Sequence, residues 1–155
     1  MRSRRSAGRS SPVVDMNAND PTRREAFPHW VSVSLRYSDQ DPMGHINNVV
    51  YGAYFAEGRN AFIGQLVKRL APAHIDFVLA SVKIDYREEV YYPGQVDVGS
   101  AVLRTGNKSL TLGHALFKDD ELKATAESVV VFIDTTSGQS VPIPDDVRET
   151  LGRDL

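Results

Sequence analysis

Cysteine is absent from the chain. Without thiols the protein cannot contain disulfides, cysteine-ligated zinc, an iron–sulfur cluster or a thiol nucleophile. Long apolar runs are also missing. The longest, counting glycine, is Val49–Ala56, whereas a membrane span needs roughly 20 residues. We therefore expect a cytoplasmic protein without a membrane partner.

Positive charge is scarce beyond the first ten residues. The chain has 18 Lys and Arg against 20 Asp and Glu, a formal charge of −2. From residue 11 onward, 14 basic residues face 20 acidic ones, a net charge of −6. A general nucleic-acid binder needs a positive surface. The composition therefore argues against a nucleic-acid partner.

Residues 1–26 differ in composition from the rest of the chain. They are rich in Arg, Ser, Asn, Asp and Pro, and they have neither helical nor strand periodicity. Such a segment has too few apolar residues to form a core, so it is predicted to be a disordered tail. Residues 27–155 have the length of one ordinary domain.

The first regular elements after the tail are a strand and a long helix. Residues 30–37 alternate between polar and apolar side chains, which predicts a strand with one buried face. A polar loop follows, and residues 48–69 form one helical pattern that is apolar on most sides, so this helix is predicted to be buried. It contains Gly52, Gly58 and Gly64. Each glycine destabilises a helix relative to alanine, and we expect close approach to a sheet to compensate.

Four strand patterns follow, over residues 77–90, 95–104, 109–117 and 122–134. Short turns connect the later strands, which makes antiparallel neighbours. A short C-terminal helix is predicted near residues 144–151, where a proline is followed by acidic residues. The expected fold class is therefore α+β: a five-stranded, mostly antiparallel sheet wrapped around one long central helix.

The densest polar cluster lies between the first strand and the helix, where it contains Asp39, Asp41, His45, Asn47 and Asn48. Free amides at a helix start stabilise negative charge, and a carboxylate beside them suits attack on a carbonyl group. A thiol leaves without a general acid because its pKa is near 8.5, which favours thioesters. The residues alone leave another interpretation open, in which this segment is only a turn and a helix cap.

The sequence R-Y-S-D-Q-D-P-M-G-H-I-N-N-V-V-Y at residues 36–51, followed by Y-F-A-E-G-R at 54–59, resembles the hotdog-fold acyl-CoA thioesterases. It is similar to the 4-hydroxybenzoyl-CoA and long-chain acyl-CoA group, and G-H-I-N-N also resembles plant acyl-carrier-protein thioesterases. The resemblance extends over about residues 28–134. It implies a hotdog fold for residues 27–155, a role in lipid metabolism, and a dimer or dimer of dimers with sites at the subunit interface.

The resemblance also assigns roles to residues. It makes Asp41 the catalytic nucleophile or general base, and the amides from Gly44 to Asn48 the groups that polarise the thioester carbonyl. The plant enzymes have Asn where Met43 stands, which favours a mechanism centred on Asp41. The other assigned residues are His45, Asn48 and Glu57 in the catalytic set, and Arg104 and Lys108 beside the coenzyme A phosphates. Apart from the resemblance, Tyr51, Tyr54 and Phe55 are candidates for the wall of an acyl pocket, and the same residues are what any core helix needs. No metal or cofactor is implied, since coenzyme A is part of the substrate.

Two other functions fit the same sequence. A hotdog dehydratase or hydratase would use His45 and Glu57 as its acid and base, and a non-catalytic acyl-thioester binding protein would need no carboxylate at position 41. The identity of the acyl group, and the choice between coenzyme A and acyl-carrier protein, stay open. His114 lies alone on the apolar face of a strand, so we expect a hydrogen-bonded core or interface histidine. For Asp39 we expect a hydrogen-bonding role in the loop.

Overall fold

The computed structural model describes residues 20–153. One continuous helical segment, the central helix, spans residues 48–70. It begins as a 3-10 turn (Asn48–Val50), is α-helical over Tyr51–Arg59, changes to π-helical geometry over Asn60–Gly64 and ends as an α-helix over Gln65–Leu70. The other elements, in chain order, are β1 (His29–Ser34), β2 (Ile75–Tyr86), β3 (Gln95–Thr105), β4 (Ser109–Lys118), β5 (Glu121–Asp134) and the C-terminal α-helix (Asp145–Arg153).

All five strands form one antiparallel sheet with the order β1-β3-β4-β5-β2. The central helix packs against one face of this sheet, so the predicted α+β architecture is confirmed. Two strands end three or four residues earlier than predicted, and the other boundaries differ by at most two residues. β1 stops at Ser34, because residues 37–39 turn into a 3-10 helix, and β2 stops at Tyr86. No helix within residues 20–153 is long and apolar enough to cross a membrane.

The predicted tail lies mostly outside the described residues. Its last part is described, and there the prediction of disorder is wrong, because Arg24–Ala26 form a 3-10 turn. The Arg24 guanidinium lies 4.3 Å from the ring centre of Trp30 and 5.1 Å from that of Phe117. This cation–π contact holds the segment on the outer face of the sheet, so the folded domain begins before residue 27.

The helix glycines have different surroundings. A Cβ atom at Gly58 would lie 2.6 Å from Val98 Cγ1 and 3.1 Å from Ser100 Oγ, both on β3. The helix therefore approaches the sheet too closely here for any side chain. A Cβ at Gly52 would meet no atom within 4 Å, and one at Gly64 would meet only its own helix. The expected close approach is confirmed at Gly58 and is wrong for the other two glycines.

A row of buried polar side chains crosses the sheet beneath the central helix. His114 is 1% exposed; its Nδ1 lies 2.8 Å from Ser100 Oγ and its Nε2 2.9 Å from Ser128 Oγ. Burial, and next the nearby charge of Arg59, lower the pKa of His114 to about 3. The ring is therefore neutral at pH 7, and the prediction of a hydrogen-bonded core histidine is confirmed. This polar row separates two apolar clusters, one around Phe55 and one around Phe62.

The segment after β1 is joined to the central helix through the Asp39 carboxylate, which is 2% exposed. One carboxylate oxygen accepts hydrogen bonds from the Arg36 side chain at 2.9 and 3.0 Å. The other accepts from Tyr54 Oη at 2.8 Å and from the Arg36 amide at 3.1 Å. Burial alone would raise the pKa of Asp39, but these bonds outweigh it and the pKa lies below its usual value. The predicted loop-bonding role of Asp39 is confirmed.

Alanine substitutions at two helix glycines test the close approach. Gly58→Ala forces a methyl group against Val98, so we expect it to lower the free energy of unfolding by about 1 kcal/mol or more. Gly52→Ala is the control, because it enters open space and should stabilise the helix by about 0.5–1 kcal/mol. Urea unfolding measures both values. Equal effects of the two substitutions would contradict the close approach.

The buried carboxylate gives a second prediction. We expect Asp39→Asn to lower the free energy of unfolding by about 2–3 kcal/mol at pH 7, because it leaves the Arg36 and Tyr54 donors without a charged acceptor. Because the folded pKa of Asp39 is depressed, its stabilisation is complete above the unfolded value near 3.9 and is lost as the pH falls through the folded value. The difference between wild type and variant should therefore shrink below about pH 4. A difference that is constant down to pH 2 would contradict the assignment.

Candidate active site

The polar loop between β1 and the central helix is a small hairpin. Gln40 and Ile46 form an isolated antiparallel bridge, and the Asp41 amide donates to the His45 carbonyl at 2.8 Å. Gly44 has φ +91°, a conformation that side-chain-bearing residues rarely adopt. The Ile46 amide donates to the Val90 carbonyl at 2.7 Å. That bond fixes the hairpin against the segment that connects β2 to β3.

The Asp41 carboxylate lies at the inner side of this hairpin and is 18% exposed. Its Oδ1 accepts a hydrogen bond from the Met43 amide at 2.9 Å, and its Oδ2 lies 3.1 Å from His45 Nδ1. Two local contacts thus orient the carboxylate while part of its surface stays open. Asp41 and His45, both predicted from the sequence, are brought together by the structure.

The start of the central helix has few free amides. The Asn47 side chain accepts from the Val49 amide at 3.1 Å, as an N-cap residue does, and the Gly44 amide donates to the Asp41 carbonyl at 3.1 Å. Within residues 20–153, no acceptor is found for the backbone amides of His45 and Asn48. The prediction that Gly44 supplies a polarising amide is therefore not met, because that amide is already bonded. The free donors in this segment are those of His45 and Asn48.

A cavity of about 310 Å³ lies in front of these groups. Asp41, His45, Asn48 and Tyr51 contribute to its wall, as predicted. Burial raises the pKa of the Tyr51 hydroxyl, so this residue is neutral at pH 7. The remaining wall comes from Ile46, Tyr86, Arg87, Glu88 and Glu89.

The segment after β2 contributes side chains to the cavity that the sequence pattern did not predict. Tyr86 Oη donates to the Asn48 carbonyl at 2.9 Å. Glu89 Oε1 lies 3.5 Å from His45 Nε2, and its other oxygen accepts a hydrogen bond from Tyr91 Oη at 2.5 Å. Residues 87–90 are predicted as strand, but in the structure they leave the sheet and fold over the loop. The one sequence signal for a site in this segment is its high content of Tyr and Glu over residues 86–92.

The other predicted site residues lie away from the cavity in the protomer. Tyr54 and Phe55 are buried in the core, where Tyr54 binds Asp39 and Phe55 packs against His114. Glu57 is exposed on the central helix and forms no ion pair within the described part of the chain. Arg104 and Lys108 lie at or beside the β3–β4 turn, at the opposite end of the sheet. Among residues 20–153, no cluster of His, Asp and Glu is suited to hold a metal ion.

Known proteins resemble this chain in sequence and in fold. A predicted thioesterase from Bacillus stearothermophilus is 29% identical, with a TM-score of 0.75 over 82% of this chain and 96% of that one. A thioesterase from Thermus thermophilus, solved with coenzyme A and Zn, is 31% identical, with a TM-score of 0.73 over 83% and 95%. The uncharacterized protein YsmA of Bacillus subtilis (strain 168) is 31% identical over 130 residues, which cover 83% of this chain and 88% of YsmA.

The family assignment comes from the sequence of the folded domain. The sequence profile of the thioesterase-like superfamily matches residues 35–151, which include the polar loop, the central helix and four of the five strands. The solved thioesterases share the five-stranded sheet and the long helix described above. The chain belongs to the thioesterase-like superfamily and has the hotdog fold.

Proposed function

We propose that this protein hydrolyses an acyl-CoA thioester to the free acid and coenzyme A. The observation that carries the proposal is the partly open Asp41 carboxylate, which shares a cavity with the helix start and its free amides. The Thermus relative solved with coenzyme A supports this substrate class.

In the proposed reaction, the thioester carbonyl oxygen faces the amides of His45 and Asn48. Asp41 either attacks the carbonyl carbon or removes a proton from an attacking water. Negative charge that develops on the carbonyl oxygen is stabilised by the two amides. The carbon–sulfur bond then breaks and coenzyme A leaves as a thiolate, which takes a proton from solvent. If Asp41 attacked directly, water hydrolyses the resulting anhydride and restores the carboxylate.

The geometry favours Asp41 over the other acids of the segment. Among residues 20–153, all the hydrogen bonds that the buried Asp39 carboxylate accepts come from Arg36 and from Tyr54, which is buried in the core. Glu57 lies outside the cavity wall, so the His45–Glu57 pair that a dehydratase would need is not assembled within the described part of the protomer. His45, beside Asp41, has a positioning role for the carboxylate in this proposal.

We also propose that two copies associate through the β2 edge. β2 is the last strand of the sheet and has no neighbour on its outer side among residues 20–153. It exposes Val78, Leu79, Val82 and Tyr86 by 41–50%. An exposed apolar edge strand tends to pair with another strand, and a two-fold axis would join two β2 strands antiparallel.

Such a dimer accounts for Arg104 and Lys108. These residues lie near the sheet end where β2 begins, whereas the Asp41 cavity lies where β2 ends, at Tyr86. Antiparallel pairing of two β2 strands brings the beginning of one beside the end of the other. In the proposed dimer, Arg104 and Lys108 of one copy therefore face the substrate bound at Asp41 of its partner, and they contribute positive charge for the coenzyme A phosphates. The same pairing leaves the outer sheet face free for a dimer of dimers.

Substitution of the carboxylate tests the mechanism. Asp41→Asn keeps the size and the acceptor for the Met43 amide but removes the charge and the nucleophile. We expect kcat to fall about 100-fold or more, roughly 3 kcal/mol of barrier, with little change in KM. The assay is thiol release from a panel of acyl-CoA esters that differ in chain length and aromaticity.

Two controls make this test specific. Asp146→Asn makes the same change on an exposed carboxylate of the C-terminal α-helix, outside the cavity wall and away from β2, and should leave kcat unchanged. His45→Ala should lower kcat less than Asp41→Asn does. Near-wild-type activity of Asp41→Asn would refute the proposed role. A change in enoyl absorbance without thiol release would indicate a dehydratase. Binding of the ester with neither thiol release nor an absorbance change would indicate a binding protein.

The assembly is tested by placing a charge on the edge strand. Val82→Lys puts a cation into the proposed β2–β2 contact, so we expect the dimer to dissociate at micromolar concentration. Leu103→Lys is the matched control: Leu103 is 55% exposed on the outer sheet face and lies away from β2, so this substitution should leave the β2-paired dimer intact even where it separates a dimer of dimers. Light scattering measures both masses. A wild-type monomer, or a Val82→Lys dimer, would overturn the proposed interface.

A further inference from the structure

Arg59 is a side chain of the central helix whose charge is buried. It is 7% exposed, and its Nη1 is sealed from solvent without a hydrogen-bond partner in the described part of the chain. Burial, and next the charge of Arg59, lower the pKa of His114, so the guanidinium lies near that ring; the histidine is neutral and both its ring nitrogens are already bonded to Ser100 and Ser128. No salt bridge of Arg59 occurs among residues 20–153, so this part of the protomer supplies no anion to the guanidinium.

An unpaired cation in this position is unfavourable. A buried charge without a partner destabilises a protein by several kcal/mol, whereas an apolar side chain of similar volume would not. The chain nevertheless has an arginine between two apolar clusters of the core. The π-helical segment begins at the next residue, Asn60, and such segments occur often at functional sites. Both features indicate that an acceptor reaches Arg59 from outside the protomer.

A space lies between the central helix and β2, beside the part of the helix that contains Arg59. Val82 and Tyr86 pair in register with Ser128 and Ala124, which are buried under the helix, so these two β2 side chains point to the helix side. They are nevertheless 41% and 50% exposed. The space between helix and β2 is therefore open along the middle of the strand.

Two cavities lie near the two ends of this space. The Asp41 cavity, bounded by Tyr51 and Tyr86, lies at one end. A cavity of about 640 Å³, bounded by Gly64 and Phe77, lies at the other. Arg59 follows Gly52 by seven residues, two helical turns, and therefore lies on the same side of the helix. At Gly52 the space beside the helix is empty to 4 Å.

The distance from the Asp41 cavity to the guanidinium sets the size of a bridging ligand. Eleven residues separate Asn48 from Arg59, roughly 16 Å at 1.5 Å per residue. Helical side chains lean toward the N-terminus, so the guanidinium is nearer, roughly 10 Å from the amides that would hold the thioester.

We infer that Arg59 is a specificity-determining residue that binds an oxygen acceptor on the acyl group, a hydroxyl, carbonyl or carboxylate roughly 10 Å from the thioester carbon. The inference rests on the proposed function, because it takes the thioester to lie at Asp41. The acyl group extends from the Asp41 cavity through the space between the central helix and β2. Its oxygen accepts a hydrogen bond from Arg59, while Val82 and the small residues of the helix contact its apolar part.

The test compares acyl-CoA esters that differ only at the end of the chain. Straight-chain esters from octanoyl to dodecanoyl are prepared with a terminal methyl, hydroxyl or carboxylate group. Thiol release gives kcat/KM for each, and calorimetry with the corresponding free acids gives binding without turnover. Arg59→Met removes the guanidinium and keeps an unbranched side chain. Arg69→Met is the matched control, because Arg69 is exposed on the same helix.

At the optimal length, we expect wild type to prefer an oxygen-terminated ester over its methyl-terminated counterpart by at least about tenfold in kcat/KM. Arg59→Met should reduce this ratio to near one and improve hydrolysis of the methyl-terminated ester. Arg69→Met should keep the wild-type ratio. The free acids should follow the same order in affinity. If Arg59→Met does not fold, Arg59→Lys keeps the charge at shorter reach and should move the preference to a longer chain.

Each contrary result has a distinct meaning. Hydrolysis of the methyl-terminated esters without any preference for oxygen, in wild type, would overturn the inference and leave the proposed function standing. So would a preference that Arg59→Met and Arg59→Lys leave unchanged. Loss of the dimer in Arg59→Met, with the preference retained, would overturn it too, because the partner subunit would then supply the acceptor. Absence of thiol release from every ester would instead refute the proposed function, and the free-acid affinities would then decide the inference alone.

Discussion

The Asp39 carboxylate accepts hydrogen bonds from Arg36, before the polar loop, and from Tyr54, inside the central helix. This contact joins the two ends of the segment that contains the proposed catalytic residues, because every residue from 40 to 53 lies between Arg36 and Tyr54. A buried ionised group binds its partners strongly when all its oxygens are satisfied. The loop thus receives a fixed anchor on the helix at the point where a carbonyl group would have to be positioned to within a few tenths of an ångström.

Asp39 and Asp41 are the same residue type two positions apart, and their environments give them different roles. Asp39 turns inward and is surrounded by donors, so its charge stabilises the fold. Asp41 turns toward the cavity, keeps an exposed surface and contacts the Met43 amide and His45. A carboxylate that is fully bonded makes a poor nucleophile or base, because those same lone pairs must accept the proton or form the new bond. Local environment therefore separates the structural acid from the proposed catalytic one.

The features of the fold that depend on local sequence pattern could be predicted from the sequence. The buried helix, the five strands and the association of Asp41, His45 and Asn48 follow from periodicity, turn residues and a short motif. Features that depend on distant segments were not predictable. The loop after β2 covers the site because Val90 bonds to Ile46, and nothing local to either residue indicates that pairing. Likewise, Ser100, His114 and Ser128 occur on three strands, so only the register of the sheet makes them a row.

Three unsatisfied features of the described part of the protomer lie on the side of the molecule between the central helix and β2. There β2 has an unpaired edge, Val82 and Tyr86 remain exposed although they face the helix, and Arg59 has no anion within residues 20–153. A second copy at the edge would cover the apolar side chains, but it would also remove solvent from around the guanidinium and so increase the cost of an unpaired charge. Association of two copies alone therefore does not supply Arg59 with a hydrogen-bond acceptor. An acyl group with its own oxygen acceptor would fill the remaining space and offset that cost, which would link the choice of substrate to the surface proposed to join the subunits.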